Sequence, residues 1–519
     1  MKIHVLSLGC ARTLVDSEGL AGILERAGHS ITDTLPQADC VVINTCAFIR
    51  EAEEESIRTI LDVADLKKTG KLRYLYVAGC LPQKRRNEQD DLLKLLPEVD
   101  GFLGPGDLTK LPELIGVRHR SDFLKDGAVS DTGPRFFVAS PVPTLLFDSL
   151  TPRRRLTPNH FAYLKISEGC DHACTFCSIP QFRGPHRSRA IEDLVKDAGA
   201  RAAEGVVELN VVGQDTSYYG ADLYGRPRLP ELLQELSAVE GIRWIRLLYA
   251  HPAHVTDALI RVIRESPSIV KYIDIPLQHI NDQLLAAMRR ETNGIYIRRL
   301  IEKFRKEIPG VALRTTFIVG FPGETEEQVE ELAQFMQEQR FERLGIFPYS
   351  PEPKTPSERM PDQVPEEVKK ERLDRLMRMQ QGIAEDLNQQ WLGREIDVLV
   401  DELADSVERR AYSVEKNYPL SAKRYLYLGR TYADAPEVDG QVFLHSTRPL
   451  KAGQFVRARV TDTYEYDLVA EVIAAPDTPA PGSPSSERSR NPIEVPLTRT
   501  SGLARPSPGG SGHHARSAF

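Results

Sequence analysis

Three cysteines, Cys170, Cys174 and Cys177, stand in the spacing CxxxCxxC within Glu168-Gly169-Cys170-Asp171-His172-Ala173-Cys174-Thr175-Phe176-Cys177. Soft thiolates select zinc or iron–sulfur clusters. A structural zinc site wants four ligands, and the one nearby candidate, His172, lies between two of the cysteines. Three thiolates on a cubane 4Fe–4S cluster instead leave one iron open to bind a reactant. A second group is more dispersed: Leu8-Gly9-Cys10, Asn44-Thr45-Cys46 and Ala78-Gly79-Cys80 each close an apolar run. A lone cysteine in that position usually packs in the core. Three of them in the same context, at the edge where open α/β sheets bind ligands, make a second three-thiolate site the competing reading. Cys40 begins an apolar run and is assigned to the core.

The elements that must position these residues follow from periodicity. Residues 1–117 alternate short β-rich runs (Ile3–Leu8, Val41–Asn44, Tyr74–Ala78) with helical patterns such as Ser17–Ala27 and Glu51–Leu66, which predicts an N-terminal parallel α/β domain. Residues 118–155 are irregular, with Pro141, Pro143, Pro152 and the basic run Arg153-Arg154-Arg155, and read as a linker whose arginines are solvated. From 156 to 387 six strand candidates alternate with amphipathic helices: Phe161–Ile166, Val207–Val212, Trp244–Tyr249, Lys271–Ile275, Leu313–Val319 and Leu344–Phe347. Six βα units make a partial (βα)6 barrel rather than the closed eight-unit form. Glycine, proline and polar residues gather after each strand, as in Gly213-Gln214-Asp215, His251-Pro252 and Pro276-Leu277-Gln278-His279. His279 reads equally as a pocket residue or a hydrogen-bonded core histidine. Residues 390–475 carry short β-rich runs between turn residues and predict a small all-β barrel. The Pro-, Ser-, Gly- and Arg-rich stretch 476–519 reads as a disordered tail.

Composition narrows the function classes. The 519 residues are 41% hydrophobic and 27% charged, with a net charge of −7. A chain that lives on nucleic acid usually carries a basic excess, so nucleic acid is not the expected primary partner. No apolar run approaches a membrane span, and the N-terminus lacks a signal-peptide core, so a cytoplasmic location is expected. Seven cysteines in such a chain favour metal or redox use over disulfides. Neither GxGxxG nor a P-loop follows a strand.

At Cys170–Cys177 the chain resembles the radical S-adenosylmethionine superfamily. The preceding three-cysteine domain and the following β-barrel make it similar to the methylthiotransferases, whose layout is an N-terminal methylthiotransferase domain, a radical core and a small β-domain called TRAM. The resemblance covers residues 1 to about 475. Gly9-Cys10-Ala11-Arg12-Thr13-Leu14-Val15-Asp16-Ser17-Glu18, Arg183-Gly184-Pro185-His186-Arg187-Ser188-Arg189, Gly213-Gln214-Asp215-Thr216 and Asp434-Ala435-Pro436-Glu437-Val438-Asp439-Gly440 resemble the ribosomal-protein branch. Ala11 and Arg12 depart from its usual residues, a small departure that is not expected to touch a ligand.

The resemblance implies two 4Fe–4S clusters. One, on Cys170, Cys174 and Cys177, binds S-adenosylmethionine and generates a radical; the other, on Cys10, Cys46 and Cys80, holds or delivers sulfur. The radical takes hydrogen from the β-carbon of an aspartate in small-subunit ribosomal protein S-12, and a second S-adenosylmethionine supplies the methyl group. An electron donor and a sulfur donor are further partners. Phe176, Gln214 and Asp215 are candidate S-adenosylmethionine contacts, with loop packing as the alternative for each. Residues 390–475 hold eleven Lys plus Arg against fourteen Asp plus Glu, a net −3. An acidic domain suits a basic protein partner better than tRNA. That counts against a tRNA adenosine methylthiotransferase, the nearest rival; a non-catalytic iron–sulfur scaffold is the rival from another class.

Overall fold

The structure is a computed structural model that describes residues 1–115, 135–404 and 425–473; the tail expected at 476–519 lies outside the described residues. The first unit is a six-stranded sheet of β1 (Lys2–Ser7), β2 (Ser30–Ile31), β3 (Cys40–Thr45), β4 (Tyr74–Gly79), β5 (Gly101–Leu103) and β6 (Phe136–Val138), ordered β2-β1-β3-β4-β5-β6. Every pairing is parallel. A parallel strand covered on both faces needs apolar side chains on both, and every residue of β3 is buried. Val41 and Ile43 face one apolar layer, Cys40 and Val42 the other, so Cys40 is a core residue.

The stretch expected as a linker is partly built into this unit. Phe136–Val138 pairs with Gly101–Leu103, and Ser140 is held by its backbone N–H and hydroxyl on Asp107, both at 2.7 Å. Three residues are too few for a strand pattern to register amid prolines. Arg153, expected in solvent, is buried: it pairs with Glu18 of the first helix (Ala11–Arg26) and with Asp197 at 3.5 Å. Those carboxylates are distant in sequence, so local composition could not reveal them.

The central unit runs β7 (Phe161–Lys165), β8 (Ser167–Glu168), β9 (Arg187–Ser188), β10 (Glu208–Val212), β11 (Trp244–Leu247), β12 (Ile269–Asp274), β13 (Ala312–Val319) and β14 (Arg343–Pro348). Six of these form a parallel sheet in the order β14-β13-β12-β11-β10-β7, while β8 and β9 make a short antiparallel pair. Alternation along the strands divides the faces. Leu164, Leu209, Val211, Ile245, Ile273 and Leu313 meet the helices, including Leu229, Leu232, Leu233 and Leu236 of the helix Leu229–Ser237. Lys165, Glu208, Arg246, Asp274 and Arg314 take the other parity, buried and paired.

The third unit is a closed barrel of β15 (Glu395–Leu403), β16 (Tyr425–Arg430), β17 (Val442–Ser446), β18 (Phe455–Thr463) and β19 (Leu468–Val472), ordered β15-β16-β17-β19-β18. The segment after β16 plugs the amino-terminal end of the central sheet. Ala433 and Ala435 pack against Phe161, Tyr163 and Tyr272. Glu437 accepts from the Tyr163 hydroxyl at 3.0 Å and Asp439 from the Tyr272 hydroxyl at 2.6 Å. With that end closed, the carboxyl end is left for chemistry. Among the described residues, no helix is long and apolar enough to cross a membrane.

Candidate active site

Cys10, Cys80 and Cys170 each follow a glycine with positive φ: Gly9 at +90°, Gly79 at +95° and Gly169 at +81°. All three of these turns also forbid a side chain; a Cβ on Gly79 would sit 2.6 Å from the Thr45 carbonyl oxygen. A Cβ on Gly169 would sit 2.0 Å from the Pro185 carbonyl oxygen, and one on Gly9 2.6 Å from the Cys46 Cβ. Glycine thus lets strand, turn and thiol occupy a space no other residue fits.

The first trio gathers at the carboxyl end of β1, β3 and β4. Cys46 and Cys80 are buried and Cys10 is half-buried; none of the seven cysteines is in a disulfide. Burial, and then the neighbouring Cys80 and Cys10 thiols, push the Cys46 thiol up to about 12. Burial also raises Cys80. At Cys10 burial acts the same way but is outweighed by Arg12 and Arg183, and the thiol falls to about 6. The Arg12 Nε donates to Cys10 Sγ at 3.5 Å, and Arg183 Nη2 donates to Cys80 Sγ at 3.4 Å.

The second trio lies on the loop after β8. Burial lifts the Cys170 thiol to about 12; it also raises Cys177, with Cys174 and then Cys170 adding to the effect. Arg290 Nη1 donates to Cys174 Sγ at 3.6 Å. The loop is pinned from outside: Cys170 N–H donates to Gly184 O at 3.1 Å and Thr175 N–H to Met288 O at 3.1 Å.

Two arginines cross between the trios. Arg12, in the first turn of the helix that Cys10 precedes, donates to Gly213 O at 2.9 Å, beside the Gln214-Asp215 turn. Arg183, in the short helix after Cys177 (Ile179–Arg183), reaches Cys80 and pairs with Asp16 at 2.6 Å and Glu168 at 3.2 Å. Lys165 joins the same carboxylates, at 2.7 Å from Glu168. Burial would raise the Glu168 carboxyl, but Lys165 and Arg183 hold it well below the carboxylate range.

The expected contact residues sit around this loop. Phe176 packs with Leu284, Met288, Phe321 and Tyr349. Gln214 donates to Glu168 Oε1 at 2.5 Å, leaving its own Oε1 a buried oxygen without a partner, as is Ser178 Oγ next to Cys177. Asp215 Oδ2 accepts from His172 Nε2 at 2.8 Å and His254 Nδ1 at 2.9 Å. These hydrogen bonds, with that of Ser217, outweigh burial and keep Asp215 ionised. His172 stacks on His251 with ring centroids 4.4 Å apart, and one ligand atom from each of His172, Asp215, His251 and His254 lies within 4.8 Å of the others. The two imidazoles on Oδ2, with Ser217 and the Tyr218 N–H on Oδ1, satisfy the Asp215 carboxylate. His279 is fully buried, accepts from Asn281 N–H at 3.0 Å and lies 3.3 Å from Glu324: it is the core histidine of the two readings.

Sequence reasoning missed Arg12, Arg183, Arg290, Tyr249 and His254. Position was the one signal for Arg12, Arg183, Tyr249 and His254, each a short way beyond a strand end or a thiol; Arg290, past the helix Asp282–Ala287, carried none. The donor sets fit iron–sulfur clusters: soft thiols, three to a site, with no disulfide and guanidinium groups near the sulfurs. The orphaned Gln214 and Ser178 oxygens fit a polar ligand at the second trio.

Three sequence families match in series: residues 2–104 match Uncharacterized protein family UPF0004, 164–336 the Radical SAM superfamily and 392–473 the TRAM domain. The ribosomal protein uS12 methylthiotransferase RimO of Anaeromyxobacter sp. (strain K) is 44% identical over 94% of this chain and 98% of its own length. Its counterpart from Heliobacterium modesticaldum is 42% identical over 92% and 96%. Among solved structures, the radical S-adenosylmethionine methyltransferase TsrM from Kitasatospora setae aligns with a TM-score of 0.49 at 14% identity, covering 69% of this chain and 76% of its own. Fold and site define a radical S-adenosylmethionine enzyme, a class that uses a 4Fe–4S cluster and S-adenosylmethionine. Within it, the chain belongs to the RimO family of methylthiotransferases.

Proposed function

We propose that this enzyme places a methylthio group on the β-carbon of an aspartate in ribosomal protein uS12, the protein named for its relatives. Cys170, Cys174 and Cys177 hold the cluster that engages S-adenosylmethionine, and Cys10, Cys46 and Cys80 hold a second 4Fe–4S cluster. The observation that carries the reading is the convergence of two separate thiol trios, bridged by Arg12 and Arg183, at the open end of the barrel. When bound, the clusters and S-adenosylmethionine supply one-electron chemistry and sulfur, which an unactivated C–H bond requires. The protein orients and seals. Gln214 offers its unpartnered Oε1 to the amine of S-adenosylmethionine, His172 and His254 fix the Asp215 carboxylate beside it, and the 433–439 plug closes the far end. Electrons and sulfur come from donors outside the chain, and the work takes place in the cytoplasm.

Mass spectrometry of uS12 from cells with and without the gene tests the substrate: loss of a methylthio group on deletion is expected, and loss from tRNA instead assigns the rival reading, which the net −3 of residues 390–475 opposes. Iron analysis tests the clusters. Reconstituted enzyme should hold about eight irons, and the full chain with Cys10, Cys46 and Cys80 changed to alanine about four. A loaded protein that never yields 5′-deoxyadenosine from S-adenosylmethionine under reduction would be a scaffold.

A further inference from the structure

Arg12 is a cation without a carboxylate. Its guanidinium touches Cys10 Sγ, the Gly213 carbonyl oxygen and the face of Tyr249, 4.5 Å from the ring centroid. Among the described residues no Asp or Glu forms an ion pair with it, although Arg183, the other arginine on a thiol of the first trio, has two such partners. A guanidinium taken out of water is costly unless an anion meets it. The place is also built to hold it still. Tyr249, a non-glycine residue at φ +60°, is fixed by its N–H on Asp274 Oδ2 at 3.0 Å and by its C=O accepting from Thr216 N–H at 3.0 Å. Backbone strain of this kind persists where surrounding structure enforces it. The ring is thereby set beneath the guanidinium.

We propose that Arg12 is a positioning residue whose charge is the fixed counter-ion of the auxiliary cluster, easing that cluster's reduction and tying it to the Gly213–Asp215 turn of the other site. The proposal rests on the two-cluster reading above. A cubane held by three thiolates is net negative, and supplies the anion that the protein withholds from Arg12. Arg183 cannot do this equally, because Asp16 and Glu168 offset its charge locally.

The test is an electron paramagnetic resonance titration of the 2+/1+ couple. It uses the holoenzyme and, to isolate the auxiliary signal, the full chain carrying C170A, C174A and C177A. Removing a positive charge disfavours the more negative reduced state, so Arg12→Gln should lower the one-electron equilibrium constant at least about tenfold, a shift of about 59 mV to more negative potential. Arg12→Lys should recover most of it. Full iron with an unmoved potential in Arg12→Gln overturns the proposal. If Arg12→Gln loses the auxiliary iron, Arg12→Lys decides: retained iron supports the charge, and lost iron makes Arg12 a strut and overturns it. Wild-type protein holding only about four irons sinks the two-cluster reading itself, a failure distinct from an unmoved potential.

Discussion

Gly169 is where one atom decides a cofactor site. Its missing Cβ leaves room for the Pro185 and Gly184 carbonyls, which would lie 2.0 and 2.5 Å from an added methyl. Both are backbone atoms, so nothing flexible can yield. Gly169→Ala should therefore open the Cys170 turn and lose about half the iron, read by iron analysis, while the auxiliary trio stays loaded. Asp215 gives a milder case. Asp215→Asn keeps one acceptor but turns an N–H on either the two histidines, which share Oδ2, or Ser217 and the Tyr218 N–H, which share Oδ1, at about 1–3 kcal/mol. Reductive cleavage of S-adenosylmethionine should slow about 5- to 150-fold, with separate KM and kcat values showing which step suffers. The two cysteine trios were legible in the sequence as groups, because each cysteine ends an apolar run or shares a tight motif. Arg12 and His254 were not, since their meaning lies in the Cys10 and Asp215 groups they reach, and spacing carries no distance between loops.

At the scale of elements, all six central strands were legible from their periodicity, and so was the small β-barrel. The strand β6 was too short to register, and the plug at 433–439 has no period at all. How that barrel grips the core has a pH signature. Asp401 of β15 accepts from Arg430 at 2.8 and 2.9 Å and from His160 at 2.7 Å, and Arg430 also pairs with Glu208 of β10 at 2.7 Å. Burial would raise the Asp401 carboxyl, but Arg430 and His160 outweigh it and hold it below its ordinary value. A depressed carboxyl stabilises the fold above its unfolded pKa, near about 3.9, and the gain fades as pH falls through the folded value. Asp401→Asn should thus lower the melting temperature at pH 7, and the gap to wild type should close below about pH 4 in calorimetry.

At the scale of the whole molecule, the N-terminal unit and the barrel are joined by charge as well as by chain. Arg153 lies between Glu18 of the first and Asp197 of the second, and Lys84 of the first pairs with Glu352 of the second at 2.7 Å. Breaking one partner of a buried pair costs about 3–5 kcal/mol. Arg153→Met should shift the denaturant midpoint of both units together, because the carboxylates it strands belong to each.

Asp16 carries this furthest. Lys165 and Arg183 of the barrel both lean on a carboxylate that the first helix supplies. A gene cut at the boundary between the units would release two pieces, each with charges it cannot neutralise alone.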